Sequence, residues 1–115
     1  MRNYLLDFVA GLGICAYFAE TLHNPKLNIF HIAEAAAIGK SRDIPLIVDN
    51  TAAPITCRPI DHGASIVVHS LTKYIGDRGT SIGGIIINGG QFDWTKNLDK
   101  HPLFITPDPS YHRAV

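Results

Sequence analysis

The sequence predicts an α/β fold: a mostly parallel sheet that carries one antiparallel strand. Three observations lead there. Two unbroken apolar runs, Ile44-Pro45-Leu46-Ile47-Val48-Asp49 and Ser65-Ile66-Val67-Val68-His69, have the β-branched character of parallel strands covered on both faces. A strand-like stretch and then a stretch of helical spacing precede the first run, which gives the strand–helix–strand order of a βαβ unit. A third apolar run, Ile85-Ile86-Ile87, follows with no helix between, so it returns antiparallel.

Residues 1–15 belong to no predicted element. Met1-Arg2 and the apolar-leaning residues up to Ala19 have the outline of a signal peptide, but Asp7 breaks the apolar core. The segment is also too short and too rich in glycine to span a membrane. Residues 11–16 match the G-x-G-x-x-A dinucleotide fingerprint, which must open a helix; Asn24-Pro25 ends any such helix within a few turns, so the match is read as chance.

Ala16-Tyr17-Phe18-Ala19-Glu20 reads as a short buried strand, left through a loop at Asn24-Pro25. Asn28 is a good N-cap, and Ile29, Ile32, Ala33 and Ala36 then form one buried helical face. Gly39 is the expected stop, with Lys40 and Arg42 suited to the negative end of the helix. The two parallel strands follow. After the second come Gly76, Gly79, Gly83 and Gly84, then the returning isoleucines, ended by Asn88-Gly89-Gly90. From residue 91 onward Pro102, Pro107 and Pro109 break any periodicity, and the tail is expected either to cover an edge of the sheet or to pass towards something outside these residues.

Ten basic and ten acidic residues balance in a chain of 115, with 46% hydrophobic content. This suits one soluble domain or part of one, and offers no basic patch for nucleic acid. Cys15 and Cys57 have neither metal nor redox spacing, and the six histidines are scattered. No metal site is expected, and a reducing, cytoplasmic setting is.

The functional signal lies where strands end. Ligands in such sheets sit beyond the carboxyl ends of the strands. Asn24, Asp49, Ser70 and Lys73 all fall there. A lysine at the end of a buried strand either snorkels to solvent or reacts, and one partly desolvated beside hydroxyls can form a Schiff base with an aldehyde. Ser70 and Thr72, on one side of an extended chain, offer donors for a phosphate. Asp49 can keep a pyridine nitrogen protonated. A Schiff-base lysine with an acidic partner is what pyridoxal phosphate requires of a protein. Taken singly, Asp49 also suits a turn and Asn24 suits the start of one.

The runs Glu20-Thr21-Leu22-His23-Asn24-Pro25-Lys26-Leu27, Ile47-Val48-Asp49-Asn50-Thr51 and His69-Ser70-Leu71-Thr72-Lys73-Tyr74 resemble the Cys/Met-metabolism family of pyridoxal-phosphate enzymes. Asp49-Asn50-Thr51-Ala52-Ala53-Pro54, Cys57-Arg58-Pro59, Gly79-Thr80-Ser81-Ile82-Gly83-Gly84, Phe92-Asp93-Trp94 and Pro107-Asp108-Pro109-Ser110-Tyr111-His112 are most similar to its O-acetylhomoserine sulfhydrylases. The resemblance runs from about residue 16 to the end, making residues 16–115 part of a fold-type-I, aminotransferase-like large domain. It implies a homotetramer in the full-length form. It also implies that Lys73 carries the cofactor and moves protons, that Asp49 pairs with the pyridine nitrogen, that Ser70 and Thr72 bind the phosphate and that Asn24 bonds the ring hydroxyl. The implied reaction is γ-replacement on O-acetyl-L-homoserine, in which sulfide or methanethiol displaces acetate and gives homocysteine or methionine. Cystathionine γ-synthase and methionine γ-lyase of the same family are the alternatives, and a non-catalytic remnant is a third.

Two departures stand out. The family usually carries Gly-His-Gly where this chain has Asp77-Arg78-Gly79, and glycine where Arg113 stands. The family's phosphate-binding glycine turn, ring-stacking aromatic and carboxylate-gripping arginine have no counterpart in these 115 residues, so the chain reads as the middle of a larger enzyme.

Overall fold

The computed structural model describes residues 13–104 and 106–113. The first twelve residues, with most of the segment weighed above as a leader and the start of the glycine fingerprint, lie outside the described residues. From residue 17 the chain is a strand, where that fingerprint would need a helix.

Four strands form one sheet in the order β1 (Tyr17–Glu20), β2 (Leu46–Asp49), β3 (Ile66–Ser70), β4 (Gly84–Asn88). β1, β2 and β3 run parallel, in register at Ala19 and Val48 and again at Val48 and Val67. β4 pairs antiparallel with β3, Val68 opposite Ile86. One helix, α1 (Ile32–Lys40), crosses from β1 to β2. The predicted strand directions are thus observed.

Burial is one-sided, unlike the expectation for parallel strands. Side chains alternate across a strand, so Tyr17, Ala19, Leu46, Val48 and Val67 share one face. That face packs against Ile32 and Ala36 of α1, with Ala64 and Ile60 from the connection that follows β2. The opposite face carries Phe18, Ile47, Ile66, Val68 and Ile86. Phe18 is 65% exposed and Ile86 75%, because nothing among the described residues lies over them. β1 is consequently a half-exposed edge strand rather than a buried one.

The helix also starts later than its sequence suggests. Residues after β1 fold back on themselves: Leu22 bridges Ile29, the Phe30 amide donates to the Thr21 carbonyl at 3.1 Å, and the His23 amide donates to the Asn28 carbonyl at 3.1 Å. Asn28 therefore closes this return loop instead of capping α1, whose N-cap is His31 without a side-chain bond. Ile29 and Ala33 are exposed; Ile32, Ala36 and Gly39 form the buried stripe. Gly39 lies inside α1, and its value is closeness: a Cβ there would stand 2.5 Å from the Ile44 carbonyl oxygen as β2 begins.

The tail holds short 3-10 turns at Trp94–Asn97, Pro102–Phe104 and Pro109–Tyr111. Asp93 and Asp108 begin two of them, accepting from the amide and hydroxyl of Thr95 and of Ser110, respectively. These bonds hold both carboxyls below the usual aspartate range.

Two outcomes follow for the fold. Gly39→Ala forces β2 and α1 apart and lowers stability by about 1–3 kcal/mol, read as a lower urea midpoint. Asp93 and Asp108 have depressed folded pKa values, so their contribution is present above the unfolded pKa and lost as pH falls through the folded one. Carboxyl-carbon NMR should find both titrating below the ordinary aspartate value, and titration at that value would remove the two turn bonds from the description.

Candidate functional site

The parallel register brings three strand ends to one rim of the sheet, and the site is built on them. Glu20 of β1 lies beside Asp49 of β2, and the Thr21 amide continues the pairing by donating to the Asp49 carbonyl at 2.9 Å. β3 runs two residues past that level, to Ser70. A cavity of about 450 Å³ opens at this rim, lined by Glu20, Leu22, Asn24, Asp49, Thr51, Ala52, Ser70, Lys73 and Tyr74. Four of the five residues singled out from sequence, namely Asn24, Asp49, Ser70 and Lys73, therefore face one space.

Thr72 is the fifth, and it is placed differently. The chain does not stay extended past Ser70 but winds into a short turn, Leu71–Ile75, interrupted at Lys73 (φ −93°, ψ −116°). The Thr72 hydroxyl points across to the start of β4, accepting from the Gly83 amide at 3.0 Å and donating to the Gly83 carbonyl at 3.3 Å. It does not line the cavity among the described residues; it ties the glycine-rich return to the turn that presents Lys73.

That turn ends in a way that bears on the departures noted above. The Asp77 amide donates to the Lys73 carbonyl at 2.9 Å, and Asp77 is left-handed at φ 59°. This is the usual place for glycine after a helical turn, and aspartate tolerates it better than most residues. Arg113 is also left-handed, at φ 64°. Both positions where the resemblance leads one to expect glycine are thus positions whose backbone favours it.

Behind the rim lies a polar lock that sequence reasoning quoted as a motif without giving it work. Asn50 is only 1% exposed. Its side-chain oxygen accepts from the Thr21 hydroxyl at 2.8 Å and its amide donates to the Cys57 carbonyl at 2.9 Å. One Asp49 carboxylate oxygen accepts from the Thr51 amide at 2.8 Å, and the Thr51 hydroxyl accepts from the Ser70 amide at 2.8 Å. The partners lie up to 29 residues apart, beyond the reach of any local pattern. Cys57, close by, is half-buried, and that burial pushes its thiol up. Among the described residues no group of three or more His, Cys, Asp or Glu could hold a metal, and no helix is long and apolar enough to cross a membrane.

Comparison with known proteins points to one family. The O-acetyl-L-homoserine sulfhydrylase of Leptospira meyeri is 53% identical over 98 residues, which are 84% of this chain and 22% of that protein. The homocysteine synthase of Schizosaccharomyces pombe is 45% identical over 102 residues, 87% of this chain and 24% of that protein. The chain therefore spans about a quarter of the length of these relatives. A crystal structure from Campylobacter jejuni, described as an O-acetylhomoserine (thiol)-lyase with N'-pyridoxyl-lysine-5'-monophosphate, superposes with a TM-score of 0.75 at 42% identity, covering 86% of this chain and 25% of that one. The family description "Cys/Met metabolism PLP-dependent enzyme" matches residues 14–111. With six-sevenths of its length inside that match and its polar residues gathered at the ends of parallel strands, the chain belongs to the Cys/Met-metabolism family of pyridoxal-phosphate-dependent enzymes.

Proposed function

We propose that this chain supplies the cofactor-holding core of an O-acetyl-L-homoserine sulfhydrylase. The observation that carries the reading is the shared cavity: an amine, a carboxylate, a hydroxyl and an amide, from three separate segments, line about 450 Å³ at the strand ends. That volume is in the range of small-ligand sites, and the donor set matches a phosphorylated pyridine aldehyde. Lys73 would anchor the aldehyde, Asp49 would hold the ring nitrogen, Asn24 would bond the ring hydroxyl and Ser70 would face the phosphate, while Thr72, bonded to Gly83, would hold the turn that carries Lys73. When bound, pyridoxal phosphate supplies an electron sink that acidifies the α and β protons of an amino acid.

The chain's own part is proton handling and orientation. The Lys73 amine takes and returns protons at the substrate's α and β carbons. The Thr51 amide fixes one Asp49 carboxylate oxygen, leaving the other to be directed at the ring nitrogen. Acetate leaves from the γ carbon of O-acetyl-L-homoserine, and sulfide or methanethiol takes its place to give homocysteine or methionine. The names of the relatives support this substrate. A homotetramer of longer chains and a cytoplasmic setting complete the reading; the free thiols of Cys15 and Cys57 suit a reducing compartment.

The direct test is to purify the chain with pyridoxal phosphate, reduce with borohydride and map the label. A single label on Lys73 is expected, and a label spread over Lys26, Lys40 and Lys96 would overturn the assignment. Asp49→Asn removes a charge-assisted bond of about 1.5–3 kcal/mol, so cofactor retention by equilibrium dialysis should weaken roughly tenfold to a hundredfold. In a chain extended to the length of its relatives, Lys73→Ala should abolish acetate release from O-acetyl-L-homoserine while the melting temperature holds.

A further inference from the structure

The last ladder bond between β2 and β3 runs from the Asn50 amide to the Val68 carbonyl at 3.0 Å. The next bond of a continuing parallel ladder would join the Ser70 amide to the Asn50 carbonyl. It is absent because β2 turns away: the Asn50 carbonyl accepts instead from the Ala53 amide, at 3.3 Å. The Ser70 amide would be orphaned at the point where β3 gives way to the Lys73 turn. Thr51 prevents this, since its hydroxyl accepts that amide at 2.8 Å. The same residue's amide donates to an Asp49 carboxylate oxygen, also at 2.8 Å.

Thr51 is therefore bonded at both ends to the two segments that matter. Its backbone restrains the acid. Its side chain restrains the residue three places before the amine. Among the described residues, Thr51 alone is bonded both to the Asp49 carboxylate and to the Ser70–Lys73 segment. We propose that Thr51 is a positioning residue, which sets the separation of Asp49 and Lys73 across the cavity and thereby the seat of an aromatic ring held between them. This rests on the cofactor reading above, and concerns how the site is held rather than what it binds.

Three variants of the 115-residue chain separate the possibilities. Thr51→Val keeps the shape and removes the acceptor; Thr51→Ser keeps the acceptor and removes the methyl; Thr51→Ala is the second variant lacking the acceptor, in case valine packs badly. In the cofactor-free chain, Ser70 amide exchange should quicken about threefold to tenfold in Thr51→Val and Thr51→Ala, and stay at the parent rate in Thr51→Ser. With pyridoxal phosphate added, the parent and Thr51→Ser should share one visible circular-dichroism band. The Val and Ala variants should lose at least half its amplitude while borohydride still fixes label on Lys73.

An unchanged Ser70 exchange rate together with an unchanged band in both Val and Ala overturns the proposal. Equal loss in Thr51→Ser also overturns it, because shape and not the hydroxyl would then be at work. If the parent chain itself takes no label on Lys73, the cofactor reading fails and the proposal falls with it. That result is distinct from a labelled parent with indifferent variants.

Discussion

The site depends on three parallel strands ending at one rim, and a single buried amide ties the end of β1 to the end of β2. Asn50 is almost wholly removed from water, so each polar atom of its side chain must find a partner or cost about 1–3 kcal/mol. It finds them in the Thr21 hydroxyl beyond β1 and the Cys57 carbonyl beyond β2. The apolar core cannot do this work, because Leu46, Val48 and Val67 fix which face is buried but not where along the strand the chain must turn. Asn50 fixes that point. The consequences pass outward to Asp49 before it and Thr51 after it, and these two form the cavity wall facing Lys73.

The uncovered face of the sheet sets a second constraint. Fully burying a side chain such as Phe18 or Ile86 contributes about 1.5–3 kcal/mol, and both stand largely in water in these described residues. β4 is exposed along its whole length and has neither proline nor charge among Gly84–Asn88, the usual guards of an edge. A chain with a quarter of its relatives' length thus keeps the rim but leaves much apolar surface unspent. Lys73 and Tyr74 are also exposed, so the desolvation that makes a lysine amine reactive needs cover beyond the surfaces seen here.

What the sequence made legible follows from how far each signal reaches. The unbroken runs at β2 and β3 and the helix-free return to β4 are local and strong, and they placed Asp49, Ser70 and Lys73 at one rim. The start of α1 misled because Asn28 and Ile29 have the composition of a cap and a first turn, yet their backbone is taken up by the return loop at Leu22 and His23. Thr72 misled for a related reason. Its two-residue spacing from Ser70 means a shared side only while the chain is extended, and the chain winds immediately after Ser70. The work of Asn50 and Thr51 was invisible because it is defined by partners 7 to 29 residues away.

The departures at Asp77 and Arg113 sharpen the physical picture of the lysine turn. A left-handed residue costs an L-amino acid roughly 1–2 kcal/mol, less for aspartate, whose short side chain fits there more readily. Asp77 keeps the bond that ends the turn, its amide on the Lys73 carbonyl, so the geometry presenting the amine survives the loss of glycine. Gly76 beside it could not be lost in the same way: a Cβ there would meet the Leu71 carbonyl oxygen at 2.3 Å. The turn thus tolerates change where only a torsion is strained and forbids it where backbone meets backbone. Its position is then set from the other side of Ser70, by the Thr51 hydroxyl, so the amine is held by one closure after it and one anchor before it.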